Sequence, residues 1–111
     1  VDNLYILPVG GVDVENPEKF LSSERMGQFI QRLKEVYDIT LFDSAPLLVA
    51  ADTVILATLM DATLLVIKSG TTKRQIALEA TALLQHINAG ISGVVLNGVG
   101  NPRQYGPSHY S

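Results

Sequence analysis

Two apolar runs, Ala62-Thr63-Leu64-Leu65-Val66-Ile67 and Ile91-Ser92-Gly93-Val94-Val95-Leu96-Asn97, flank a long amphipathic segment, and this order constrains the fold more than anything else in the chain. Runs of four to eight apolar, β-branched-rich residues read as strands that tolerate apolar neighbours on both faces. Parallel neighbours need a crossover of a dozen or more residues between them, usually a helix. The segment between the runs supplies that helix. Thr71 or Thr72 can cap it, Ile76, Leu83, Leu84 and Ile87 recur at helical spacing from Lys73 to Ile87, and Asn88-Ala89-Gly90 stops it.

The same alternation extends towards the start. Leu4-Tyr5-Ile6-Leu7 is a short apolar run closed by Pro8 and Gly10-Gly11 and is expected to be a buried strand. Asn16-Pro17 places a capping side chain before a proline suited to a first helical turn, predicting a short helix to Leu21. Ser22 and Ser23 can cap a second helix whose Met26, Phe29, Ile30, Leu33 and Tyr37 form one apolar face, with Arg25, Gln28, Arg32 and Glu35 on the wet side. Ile39-Thr40-Leu41-Phe42 is a second strand candidate, and Thr53 to Leu59 a short helix. The predicted class is α/β with a mainly parallel sheet covered by helices on both faces.

Composition narrows the chemistry. A formal charge of −3 leaves no basic surplus for nucleic-acid phosphates or an anionic lipid surface. There is no cysteine, which removes disulfides, zinc–thiolate sites and thiol nucleophiles. His86 and His109 have no second ligand at metal-binding spacing, and no apolar run approaches the length of about 18 residues that a membrane span needs. The start, Val1-Asp2-Asn3, has neither an initiator Met nor a basic leader and reads as that of a cut-down or processed piece.

Asp43 stands where four apolar residues end, so its carboxylate is expected at the carboxyl edge of a parallel sheet, where such folds bind ligands. An aspartate there can also simply cap the following turn. Asp52 suits either a supporting role near a metal ion or the N-cap of the next helix, and the cap is the simpler reading. Asn97 ends the last strand, where an amide commonly forms a turn. Tyr105 and Tyr110 lie in a Gly-Pro-Ser setting that cannot pack a core, whereas Tyr5 and Tyr37 fall in or beside structured elements.

The ordered set Asp43-Ser44-Ala45-Pro46, Asp52, Asp61 to Ile67 and Gly93 to Asn97 resembles the second half of the deviant P-loop ATPases related to MinD. Within that class, Asn16-Pro17-Glu18, Ser22 to Met26 and a tail with Tyr105 and Tyr110 resemble the bacterial tyrosine autokinases of capsular and exopolysaccharide synthesis. The resemblance implies a P-loop NTPase-like three-layer α/β/α domain over residues 1–98, here incomplete, with a flexible tyrosine-containing tail over 99–111. It implies ATP and magnesium as cofactors, Asp43 as the Walker B acid that organises magnesium through water and helps activate the attacking hydroxyl, Asn97 at the adenine edge, and Tyr105 and Tyr110 as phosphate acceptors. It further implies work at the cytoplasmic face of the bacterial inner membrane, with a membrane activator or polysaccharide co-polymerase, in a homo-oligomer and without nucleic acid. In the resembled fold, the strand bearing the phosphate loop separates the Asp43 strand from the next one in sequence.

Nothing in the chain fits Gly-x-x-x-x-Gly-Lys-Ser/Thr, the loop whose backbone N–H groups and lysine hold phosphates. The expected partner is therefore the missing N-terminal half of the kinase domain, and the 111 residues alone are not expected to turn over ATP. A non-catalytic interaction module derived from that domain, or a MinD- or ParA-like positioning ATPase, are the alternative readings.

Overall fold

The computed structural model describes residues 2–8, 10 and 15–100, and everything structural below concerns those residues. The predicted order of helices is realised. Helix α1, Pro17–Leu21, starts where expected, with Asn16 Oδ1 accepting from Lys19 N at 3.0 Å and Pro17 in the first turn, where an N–H would have no helical partner anyway. Helix α2, Glu24–Val36, is capped by Ser23, whose hydroxyl oxygen accepts from Met26 N at 3.3 Å and donates to Phe20 O at 2.6 Å. One serine thus closes α1 and opens α2. Met26 and Ile30 are buried and Leu33 and Tyr37 half-buried, while Arg25, Gln28, Arg32 and Glu35 face solvent, as the helical spacing requires; Phe29, expected on the same apolar face, is instead 39% exposed.

Helix α3, Ala51–Leu59, begins two residues before the predicted start, so Asp52 lies inside its first turn. The expectation that Asp52 is the N-cap is corrected accordingly: Ala50 holds that position, and Asp52 Oδ1 instead accepts from the neighbouring Thr53 N at 3.0 Å. Strand β1, Thr63–Lys68, follows, then helix α4, Arg74–His86, and strand β2, Ile91–Asn97. Neither threonine caps α4. Lys73 takes the N-cap position without a side-chain bond, because Thr72 Oγ1 is already accepting from Lys68 N at 3.2 Å. At the other end Asn88 adopts a φ of 55° and Ala89 N returns to Leu84 O at 3.0 Å, the left-handed stop anticipated at Asn88-Ala89-Gly90.

The two strands pair in parallel, with Thr63 opposite Ile91 and, after an irregularity that leaves Ser92 unmatched, Leu64 opposite Gly93 through Lys68 opposite Asn97. This establishes the α/β class with a parallel sheet, limited to two strands among the described residues. Helices α3 and α4 cover one face: Leu84, only 1% exposed, joins Ala57 and Ala89 in a core on which Leu47, Leu65, Ile87 and Ile91 pack. On α4 the inward residues are Ala80 and Leu84, and Ile76 is 44% exposed rather than inward, since its part of the helix has less to pack on.

The opposite face of β1 is open, with Leu64 57% and Val66 60% exposed. The two remaining strand candidates are not strands. Leu4–Leu7 and Ile39–Phe42 make no backbone hydrogen bond to any described residue, and Leu4, Tyr5, Ile6, Leu7, Ile39 and Leu41 are exposed. The physical reason is that a strand, unlike a helix, completes its backbone bonds only with a neighbour, and no described residue bonds to these runs. Tyr5 and Tyr37 meet in a tilted pair, ring centroids 5.5 Å apart and ring planes at 52°, although Tyr5 itself is 72% exposed. No helix among the described residues is long and apolar enough to cross a membrane.

Candidate functional site

An open cleft of about 940 Å³ lies among the described residues. One wall is Tyr37 to Pro46, the other Asp61 to Val66, and Ile30, Leu33, Leu56 and Met60 from α2 and α3 lie between them. Asp43 sits on the first wall, exposed, directly after the unpaired Ile39–Phe42 run. The loop beyond it is tied down: Thr53, buried in α3, donates its hydroxyl to Ala45 O at 3.0 Å, and the Pro46 carbonyl accepts from Val49 N and Ala50 N at 3.0 and 3.3 Å. This turn faces Leu65, Val66 and Ile67 across a second cavity of about 210 Å³, which puts the Asp43 loop near the carboxyl half of β1.

A carboxylate held there, open to solvent and beside the Ser44 hydroxyl, can offer oxygen to a hydrated cation or accept a proton bond. Among the described residues no three His, Asp or Glu side chains converge on one point. Asn97 closes β2 at the carboxyl edge of the sheet, where its backbone carbonyl accepts from Ser69 N at 2.8 Å. Its side-chain oxygen accepts from Gly98 N at 2.9 Å, with Gly98 at a φ of 70°, a conformation that favours glycine. That occupies the amide oxygen locally and leaves the NH2 group available. No hydrogen bond joins Asn97 to Asp43. Tyr105 and Tyr110 lie outside the described residues, as does His109.

Two site-shaping residues escaped the sequence reading. Thr53, the tether of the Asp43 loop, looks like any helix residue in sequence. The pair Lys34 Nζ to Asp61 Oδ1, 2.6 Å long, spans the mouth of the cleft from α2 to the entrance of β1. Asp61 was part of the ordered motif set, but a partner 27 positions away carries no sequence signal. Both side chains are substantially exposed, so the pair positions more than it stabilises.

No protein-family model matches the chain. It is 35% identical over 83 residues to the tyrosine-protein kinase YwqD of Bacillus subtilis, and 28% identical over 97 residues to the tyrosine-protein kinase CpsD of Streptococcus pneumoniae. The matches take in 75% and 87% of this chain but only 35% and 42% of those relatives, so the chain spans well under half their length. Among solved structures, the kinase domain of VpsO superposes with a TM-score of 0.75 at 30% identity, over 81% of this chain and 44% of that one. Sequence and fold agree that the chain is a homologue of the bacterial tyrosine-protein kinases and corresponds to part of their kinase domain.

Proposed function

We propose that these residues form part of an ATP-dependent protein tyrosine autokinase that regulates exopolysaccharide or capsular polysaccharide synthesis and export. The observation that carries the reading is the position of Asp43: an exposed carboxylate on the wall of a largely apolar cleft, near the carboxyl end of a parallel strand, in a chain similar to tyrosine-protein kinases. Parallel α/β sheets bind ligands at that edge.

Magnesium suits the donor set. The ion keeps several waters and is held by one or two carboxylates together with substrate phosphates, so a single hard oxygen donor such as Asp43 is enough from this part of the protein. When bound, it would neutralise phosphate charge during transfer. Asp43 would also accept a hydrogen bond from an incoming tyrosine hydroxyl, orienting it towards the phosphoryl group. Asn97, whose amide NH2 is not used by its own turn, is the residue proposed for the adenine edge. Tyr105 and Tyr110 are the proposed acceptors, and the proposed setting is the cytoplasmic face of the inner membrane beside an activating membrane partner, within a homo-oligomer. Phosphoryl transfer needs several donors around the phosphates, and the chain has no Gly-x-x-x-x-Gly-Lys loop to provide them. The 111 residues alone are therefore inactive on this reading.

The test is a hybrid kinase in which this chain replaces the matching part of YwqD. The expected result is ATP-dependent labelling of Tyr105 and Tyr110, reduced at least about a hundredfold in Asp43→Asn with an unchanged melting curve. Labelling that survives Asp43→Asn, or a folded hybrid that binds ATP without transferring phosphate to either tyrosine, would sink the reading. The second outcome would favour a non-catalytic module.

A further inference from the structure

Threonine hydroxyls on helices commonly turn back onto their own helix, and two in this chain do so: Thr58 Oγ1 donates to Ile55 O at 2.6 Å in α3, and Thr81 Oγ1 to Ala77 O at 2.8 Å in α4. Thr53 does not. Its hydroxyl leaves α3 for Ala45 O, eight residues back and outside the helix, although the residue is only 8% exposed. The same carbonyl accepts from Ser44 Oγ at 3.3 Å and so collects two hydroxyls. Asp43 itself makes no hydrogen bond to any described residue, through its carboxylate or its backbone. Its direction is therefore inherited from the first fixed point after it in the chain, which is Ala45. Pro46 stiffens that point, holding its own φ at about −65° and keeping the preceding Ala45 out of the helical region. The Pro46 carbonyl closes the turn to Val49 N and Ala50 N, which leads directly into α3. Ser44 is then the one residue between the anchor and the acid.

We propose that Thr53 is a positioning residue for phosphoryl transfer: by holding Ala45 O it sets the direction in which Asp43 presents its carboxylate, while touching neither nucleotide nor metal nor tyrosine itself. The claim rests on the kinase reading for what Asp43 does and on the bond to Ala45 for what aims it. In that reaction the tyrosine oxygen forms a bond to the γ-phosphorus of ATP, the bond from that phosphorus to the bridging oxygen breaks, ADP departs with the electron pair, and the hydroxyl proton leaves by way of Asp43. The leverage is short. Two residues of extended chain span at most about 7 Å, so a swing of about 10° at Ala45 displaces Asp43 by about 1 Å, and a misplacement of that size can cost about a hundredfold in rate. Binding is more tolerant. Magnesium keeps several waters and is held by substrate phosphates as well, so a displaced carboxylate still serves the bound nucleotide. The loss of the Thr53 hydroxyl therefore falls on turnover and spares the affinity for ATP.

The test places Thr53→Val, Thr53→Ser and Asp43→Asn in the hybrid kinase that carries this chain in place of the matching part of YwqD, and measures kcat and the KM for ATP. Thr53→Val should lower kcat about tenfold or more and leave KM within about twofold. Thr53→Ser keeps the donor and should recover kcat to within about threefold, although it removes a buried methyl and is the less stable of the two, an order that a merely structural role would reverse. In the Asp43→Asn background Thr53→Val should change kcat no further, because it acts only through the acid. Equal losses in kcat and in ATP affinity, failure of serine to recover turnover, or an undiminished Thr53→Val effect on top of Asp43→Asn would each overturn the proposal. A second measurement is independent of activity: in the full chain labelled with nitrogen-15, Thr53→Val should lower the order parameters of the Asp43, Ser44 and Ala45 amides, and Thr53→Ser should not. An inactive hybrid with that pattern would sink the kinase reading only, whereas an active hybrid with a rigid Asp43 in Thr53→Val would sink this inference only.

Discussion

Replacing Thr53 by valine isolates the tether that holds the Asp43 loop. Thr53 is buried, and its hydroxyl donates to Ala45 O at 3.0 Å. Valine keeps the shape and loses the donor. Ala45 is exposed, so its freed carbonyl can turn to water, and the cost is the net worth of one hydrogen bond, about 1 kcal/mol, not the larger cost of a buried orphan. The extra methyl recovers part of that globally by burying apolar surface, leaving an overall loss of about 0.5 kcal/mol. The local effect is the sharper reading. Val49 N and Ala50 N depend on the Pro46 carbonyl next to the tether, so their amide exchange should quicken about fivefold in Thr53→Val, the factor that 1 kcal/mol carries. Thr53→Ser is the control, because it keeps the hydroxyl and loses the methyl; it should destabilise the chain globally while leaving Val49 and Ala50 protected relative to the rest. If both variants loosened the turn equally, or neither did, the hydroxyl would not be the tether.

Two further perturbations test the frame around the site. Leu84→Ala empties the most buried position of the core that joins α3, α4 and β1, and should cost about 3 kcal/mol in urea unfolding, whereas Ile76→Ala on the same helix should cost well under half as much; equal costs would show that the core is misplaced. Ser23→Ala removes the hydroxyl that closes α1 and opens α2 and should cost about 1 kcal/mol, while Ser22→Ala, whose side chain makes no such bond, should be silent; the reverse order would mean that the cap lies one residue earlier.

The parts of this fold that were legible in the sequence are those whose bonds are local. Asn16, Ser23 and Asn88 mark helix ends because the groups they satisfy lie within a few residues, and β1 and β2 were recognisable because the helix between them is long enough to bring them side by side. Thr72 shows where even local reading fails. Its hydroxyl had two nearby uses, capping α4 or accepting from Lys68 N, and only the three-dimensional path of the chain chose the second. Asp52 was misplaced for a related reason, since Ala51 extends α3 backwards by ordinary helix propensity and moves the aspartate from the cap into the first turn. Leu4–Leu7 and Ile39–Phe42 have the composition of strands, and composition is where the sequence information ends. Whether such a run becomes a strand depends on a neighbour that its own residues do not specify.

That dependence bears on the chemistry as well as on the architecture. Asp43 follows directly on Ile39–Phe42, so the carboxylate is placed on its amino side by a run with no backbone partner among the described residues and on its carboxyl side by the Thr53–Ala45 bond and the Pro46 turn. An acid that must hold a hydrated cation and orient a hydroxyl works through prior positioning, and a misplacement of 1 Å can cost about a hundredfold. On the kinase reading, loosening the Thr53 tether should therefore slow phosphoryl transfer in the hybrid kinase more than it weakens ATP binding, and equal losses of both in Thr53→Val would show that this turn does not aim the acid.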